Sequence, residues 1–327
     1  MINRQNWLDV KEFLNYQDKV QQLEPATIKR AWSNLRHLLE WADEKPFPKA
    51  KSIEPTFPAY LLSVRNNGVP LSATSITKCL AQARNFFEFA RLSWPARYKT
   101  ITESWIGTLK PPRKLRNGNG KLKSHKYYTL DQVLKIVNVK HDNLHIERCQ
   151  VAVAMLFCSG MRADTLASLP INCVDLENNR ILQLPELGVR TKNSKAGITY
   201  LLQINALIKV IREWDERVRS SLPDYCLWYS PLSRDNSRLI PTVEAYNGRN
   251  ATIQKDVRKI CEIAGVPYLS PHKLRHGHVM YALQHAKTIN DLKAISQNVM
   301  HSSVTITDAI YGILSNSDVE NFIKSIK

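Results

Sequence analysis

Between Lys110 and Lys126 the chain carries seven Lys or Arg residues, two prolines, two glycines and no acidic residue. A stretch of this kind has almost nothing to bury and follows neither helical nor strand periodicity, so it divides the chain into parts that must each build a core. At 327 residues and 43% hydrophobic content there is material for two such cores, each of ordinary domain size. The expected organisation is therefore a domain over 1–109, a basic linker over 110–126 and a second domain over 127–327.

The first part reads as a bundle of amphipathic helices. From Thr27, taken as a cap after Pro25, the residues Ile28, Ala31, Leu35, Leu38, Leu39 and Ala42 fall on one stripe. A second stripe runs from Ser75 to Leu92 through Ile76, Cys79, Leu80, Ala83, Phe86, Phe87 and Ala90. It leaves Lys78, Arg84 and Arg91 for solvent or for phosphate. Shorter helices are expected around Trp7 to Leu14 and from Ala59 to Val64, which makes a small all-helical unit.

Beyond the linker, Thr129 caps a helix and Cys149 to Cys158 forms an apolar one. Arg180–Leu184, Gly188–Lys192 and Ile198–Ile204 have the partly alternating pattern of a small antiparallel sheet. Helical periodicity resumes at Ala206 and dominates the last third. Ser317 with Glu320 gives a capping pattern for a terminal helix whose apolar face is Val319, Phe322, Ile323 and Ile326. The fold class expected is mainly α: a helical N-terminal bundle plus a mostly helical second domain with one small antiparallel β-sheet.

Lys and Arg outnumber Asp and Glu by 46 to 29, for a formal charge of +17. An excess of this size favours a polyanionic partner, because each neutralised phosphate releases condensed counterions. No apolar stretch is long enough to cross a bilayer, and the first residues lack the apolar core of a secretory signal. A cytoplasmic, nucleoid-associated protein without a membrane partner is expected. Six scattered cysteines show no Cys-x-x-Cys pair and no histidine at metal spacing, and read as buried or reduced thiols.

Three short motifs remain: Ser159-Gly-Met-Arg162, His272-Lys-Leu-Arg275, and His301-Ser-Ser followed by Tyr311 ten positions after the histidine. Each is weak alone. His-x-x-Arg is most often a solvated surface pair, a hairpin lysine is usually solvated, and most tyrosines in helical contexts are core residues. Taken together, and in this order, the motifs resemble the tyrosine recombinase/integrase family of phage integrases and Xer-like recombinases, from about residue 125 to 315 by motif. The same resemblance, more weakly, makes 1–109 a core-binding, SAM-like domain and 127–327 a catalytic domain.

The resemblance implies a set of roles. Arg162 and Arg275 would clamp a scissile phosphate, for which a planar, permanently charged fork is suited. Spaced three apart at a helix start after Ser270-Pro271, His272 and Arg275 would share one face. His272 would assist deprotonation of the nucleophile or bond a non-bridging oxygen, and His301 would hydrogen-bond the phosphate. Lys192, with Lys195 as the alternative, would protonate the leaving 5′ oxygen. Tyr311 would attack phosphorus to give a 3′-phosphotyrosine. Lys78, Arg84, Lys114, Arg116 and Lys195 are the expected DNA-binding residues. Chemistry of this kind uses no metal and no nucleotide cofactor.

The family's glycine before the second histidine is Met300 here, and its acidic residue three positions after the first arginine is Thr165, with Asp164 displaced by one. His276-Gly277-His278 follows the second arginine where Thr or Ser is more usual. The function implied is a site-specific recombinase that integrates, excises or transposes a mobile element. Its partners would be double-stranded DNA gripped in a C-shaped clamp, further copies of itself in a tetramer on two DNA sites, and an accessory DNA-bending protein. The terminal helix would dock on its own domain or on a neighbour. A type IB topoisomerase and a catalytically silent DNA-binding protein of the same fold are the rival readings. An RNA-binding protein would need stacking aromatics on an exposed sheet, which the pattern does not supply.

Overall fold

The computed structural model describes residues 1–112 and 126–301. Tyr311, Lys114, Arg116 and the terminal helix expected from Ser317 lie outside the described residues. Contacts between Cα atoms divide the chain into two compact units, residues 1–121 and 122–327, with the division inside the basic stretch.

The first unit contains α1 (Arg4–Lys19), α2 (Pro25–Ala42), α3 (Phe57–Ser63), α4 (Ala73–Ser93) and α5 (Glu103–Ile106). A two-residue hairpin pairs β1 (Arg65–Asn66) with β2 (Val69–Pro70). Helix α2 starts two residues before Thr27. Pro25 occupies its first turn, where a missing N–H costs nothing, and holds Glu24 extended at ψ 138°. Leu35, Leu38 and Leu39 of α2, Ala83, Phe86 and Phe87 of α4 and Phe13 of α1 are all buried together. Phe86 meets Phe13 and Phe47 edge-on at 5.7 and 5.2 Å, and each buried ring contributes about 2–3 kcal/mol. The buried carboxylate of Asp9 accepts from Tyr98 Oη at 2.5 Å and Arg97 Nη2 at 2.8 Å, so its charge is paired. On α4, Lys78 is exposed and Arg84 half-buried, off the core side.

The second unit is organised around one helix. Its described elements are α6 (Leu130–Val137), α7 (Leu144–Ser159), α8 (Ala163–Ala167), the strands β3 (Val174–Asp175), β4 (Arg180–Gln183) and β5 (Gly197–Tyr200), then α9 (Asn205–Ser221), α10 (Asn250–Ile263), α11 (His272–His285) and α12 (Ile289–Asn298). Thr129 and Gln132 close a capping box at the start of α6. Every residue of α7 from Arg148 to Ser159 is buried, as befits a helix apolar on all sides, and α6, α9, α10 and α11 pack around it. At its polar end Asp256 of α10 faces Arg148 Nη2 at 2.9 Å and His145 Nε2 at 3.0 Å, and also accepts from the Tyr229 hydroxyl.

The sheet is antiparallel in the order β3-β4-β5, with Ile181 opposite both Val174 and Thr199. Its third strand is not the expected Gly188–Lys192. Pro185 starts a single 3₁₀ turn that Gly188 ends at φ +88°, and a second such turn over Lys192–Ser194 has Asn193 at φ +58°. Gly188 is left-handed and both main-chain groups of Arg190 are taken by Thr165 and Ser168 side chains, so that stretch does not pair as a strand, and Val174–Asp175 supplies the third strand.

Two helix ends fix the backbone that matters later. Gly160 terminates α7 at φ +64°, and a Cβ there would lie 2.7 Å from the His278 ring and 2.9 Å from Val299. At the end of α12 the N–H of Met300 bonds Gln297 O at 2.8 Å and that of His301 bonds Ser296 O at 3.0 Å. This is a Schellman cap, with Met300 at φ +54° in the position that glycine favours. The same motif closes α10 with Gly265 at φ +62°. A glycine at 300, the family pattern, is thus what the backbone asks for, and methionine there costs about 1–2 kcal/mol.

His278 lies under this turn, 1% exposed, with Nδ1 2.8 Å from Phe157 O. Burial pushes its pKa down from 6.5 to about 4, with Arg275 adding to the shift. A group depressed on folding stabilises fully above its unfolded pKa and loses that contribution as pH falls through the folded value. Between pH 6.5 and 4 the second unit should lose on the order of 3 kcal/mol from this residue. Urea unfolding of wild type and His278→Gln across that range checks it: the variant's pH slope should be shallower.

Candidate active site

Arg162 is delivered by the turn after α7. Ser159 Oγ donates to Met155 O at 2.6 Å and accepts from Met161 N at 3.1 Å, which shapes the turn around Gly160. Arg162 then takes the extended cap position before α8, at φ −80° and ψ 151°. Its guanidinium is half-buried and forms no hydrogen bond to a described residue. Burial alone lowers its pKa, yet a guanidinium stays charged at any working pH.

Arg275 comes from the first turn of α11, where the reading of Ser270-Pro271 placed it, and is 3% exposed. Its Nη1 donates to Gly160 O at 2.7 Å, and its Nη2 donates to Val299 O. One side chain thereby ties the end of α7 and the end of α12 to α11. His272, one turn earlier, stays solvent-accessible and packs edge-on against His276 at 4.7 Å. Its pKa is lowered by desolvation first, then by Arg275, Lys273 and Arg162. His301 follows the Schellman cap of α12. Burial pushes its pKa down to about 4, helped by Arg275, Arg162 and His272.

The charges of Arg162 and Arg275 both reach His272 and His301, so the four side chains share one neighbourhood although they come from three separate segments. At neutral pH the set is two guanidinium cations with two uncharged imidazoles. Such a cluster offers fork donors to the non-bridging oxygens of a phosphodiester, with neutral imidazoles able to donate at one nitrogen and accept at the other.

Lys192 and Lys195 are exposed on the β4–β5 connection, and among the described residues no hydrogen bond or ion pair joins either side chain to the cluster. The connection itself is anchored to the segment that carries Arg162. Thr165 Oγ1 donates to Arg190 O at 2.9 Å, and Ser168 Oγ accepts from Arg190 N at 2.8 Å. Thr165, which stands where the family has an acidic residue, thus holds the backbone two residues before Lys192. Asp164 turns toward Arg190 at 3.9 Å instead. This anchoring, through two ordinary hydroxyls, had no signal in the sequence.

The cysteines are all free and buried. Contrary to the reading from spacing, one does have a histidine neighbour: His145 precedes Cys149 by four residues on α7, and their ligand atoms lie with that of Asp256 within 4.8 Å of one another. The Asp256 carboxylate is already occupied by Arg148, His145 and Tyr229, and burial pushes the Cys149 thiol up. A buried guanidinium and a protonated thiol disfavour a cation there.

Residues 126–317 match the profile described as the phage integrase family. Among curated proteins, the tyrosine recombinase XerC of Lactobacillus delbrueckii subsp. bulgaricus is 23% identical over 306 residues, spanning 91% of each chain. Among solved structures, the Tn1549 transposon integrase in complex with transposon right end DNA superposes with a TM-score of 0.64 at 12% identity, covering 100% of this chain and 99% of that one. A lambda integrase dimer bound to a COC′ core site gives 0.60 at 14% identity, over 92% and 93%. Among the described residues, no helix is long and apolar enough to cross a membrane. With the family profile covering more than half of the sequence and all four clustered side chains, the chain belongs to the phage integrase family and is a tyrosine-type site-specific DNA recombinase.

Proposed function

We propose that this recombinase cuts and rejoins double-stranded DNA through a 3′-phosphotyrosine on Tyr311, in the service of integrating, excising or transposing a mobile element. The observation that carries the reading is the convergence of Arg162, Arg275, His272 and His301 within the segment that matches the family. Residues 1–109 would bind the core site, the basic stretch 110–126 would follow the backbone with Lys114 and Arg116, and Lys78 and Arg84 would add contacts from α4. The excess of 46 basic over 29 acidic residues supports a DNA partner. The neighbours of similar fold are a lambda integrase dimer bound to a core site and a transposon integrase in complex with transposon DNA. They support a multimeric assembly on DNA, which we take to be a tetramer on two sites aided by a DNA-bending protein.

In the reaction, Tyr311 Oη attacks phosphorus while the bond to the 5′ oxygen breaks. Its proton passes to a base such as His272, which is neutral at working pH. Arg162 and Arg275 stabilise the charge gained by the non-bridging oxygens, the role of an oxyanion hole. The ammonium of Lys192 or Lys195 gives the departing 5′ oxygen its proton. Attack of a partner strand's 5′ hydroxyl on the phosphotyrosine reverses these steps, so phosphodiester energy is conserved.

Tyr311→Phe should bind DNA as wild type does yet form no covalent adduct with nicked suicide duplexes tiled from the DNA flanking the gene. A surviving adduct would remove the tyrosine from its role.

Arg162→Ala should slow cleavage by about 10²- to 10³-fold with little change in binding. It is a cleaner test than Arg275→Ala, because Arg275 also holds the carbonyls of Gly160 and Val299. An equal loss of binding and cleavage would make Arg162 an anchor for DNA rather than a stabiliser of the transition state.

For the acid, Lys192→Ala should recover cleavage on a substrate with a 5′-bridging phosphorothiolate, whose thiolate leaves without a proton. Recovery by Lys195→Ala alone would move the role to Lys195.

A further inference from the structure

Strand β5 is joined to the end of α12 by a network that the reaction scheme does not use. Asn298, the last residue of α12, accepts from Tyr200 N at 2.7 Å through Oδ1 and donates to Tyr200 O at 3.1 Å through Nδ2. Its side chain thus reads the edge of β5 as another strand would, satisfying both main-chain groups of one residue. One residue earlier on the strand, Thr199, fully buried, donates Oγ1 to Asn298 O at 2.8 Å and accepts from Gln183 Nε2 at 2.6 Å. Gln183 is the last residue of β4 and is itself 2% exposed. At the other end of β5, Met300 packs over Gly197, where an added Cβ would lie 3.0 Å from its Cε.

Both ends of the connection that carries Lys192 and Lys195 therefore lead into this network, through Gln183 at its start and Gly197 at its finish. The network's other side is the backbone that presents His301. We infer that Asn298 is a positioning residue, which holds the lysine-bearing β4–β5 connection in register with the phosphate-binding cluster. The inference rests on the recombinase reading above.

The two sides of the joint respond differently to its loss. His301 keeps its own Schellman hydrogen bonds, which are main-chain only, so removing the Asn298 side chain leaves His301 and the arginines in place. Strand β5 loses two hydrogen bonds at its edge and stays tied to α12 through Thr199 and the Asn298 carbonyl, so the lysine loop, still anchored at Arg190, is held less tightly relative to the cluster. The consequence should fall on protonation of the leaving group and leave the attack on phosphorus intact.

The experiment is single-turnover cleavage by wild type and Asn298→Ala, on suicide duplexes carrying either an ordinary phosphodiester or a 5′-bridging phosphorothiolate, with DNA binding measured alongside. On the phosphodiester Asn298→Ala should be about 10- to 100-fold slower, a part of what a general acid supplies, with binding unchanged. On the phosphorothiolate its rate should return to within about threefold of wild type, since that substrate needs no acid. A merely structural defect would slow both substrates alike or weaken binding, and either result overturns the positioning role, as would an unaltered rate on the phosphodiester. Absence of an adduct with wild type would instead bring down the recombinase reading itself, so the two failures are distinguishable.

Discussion

The guanidinium of Arg275 is the point at which this unit holds together. Buried in the first turn of α11, it donates to the carbonyls that end α7 and α12. Those are carbonyls that helix geometry leaves unpartnered, and a charged donor satisfies them more strongly than a neutral one would. The arginine therefore has a structural role in the same place where the proposed mechanism needs its charge for a phosphate. Its positive field is also one cause of the low pKa values of His272, His278 and His301. Fold and electrostatics at the site cannot be separated at this residue.

Around that hub, each described residue of the proposed site is presented near the end of a helix or in a connection. α7 is sealed on all sides and stops at Gly160, whose left-handed turn leads to Arg162. α12 stops in a Schellman cap that leads directly to His301. The hydroxyls of Thr165 and Ser168 hold Arg190, and from there the chain runs to the lysines. Scaffold rigidity is thus passed to short segments by backbone hydrogen bonds, which fix position without restricting which side chain is carried.

Much of this could be read from the sequence where the physics is local. The capping box at Thr129, the apolar run of α7 and the start of α11 after Pro271 each depend on residues within one or two turns. What depended on distant partners was not legible. Nothing in Gly188–Lys192 says that β3 would pair with β4 in its stead, because the groups that occupy the Arg190 main chain are hydroxyls of Thr165 and Ser168, 25 and 22 residues away. The pattern His-x-x-Arg after Ser270-Pro271 placed Arg275 near a helix start but could not show that it is buried against two carbonyls while His272 stays exposed. Asn298 and Thr165 carry no motif, because their partners are main-chain atoms 98 and 25 residues away.

The contact between Met300 and Gly197 has a wider consequence. A methionine has been accommodated in a left-handed cap where glycine would sit without strain, and the space its side chain fills is the space that a side chain at 197 would need. The two positions act as a single volume shared between a strand and a helix end. Glycine at the cap would open room for a larger residue on the strand, whereas a side chain at 197 beside Met300 requires the methionine's terminal methyl to give way by a few tenths of an ångström.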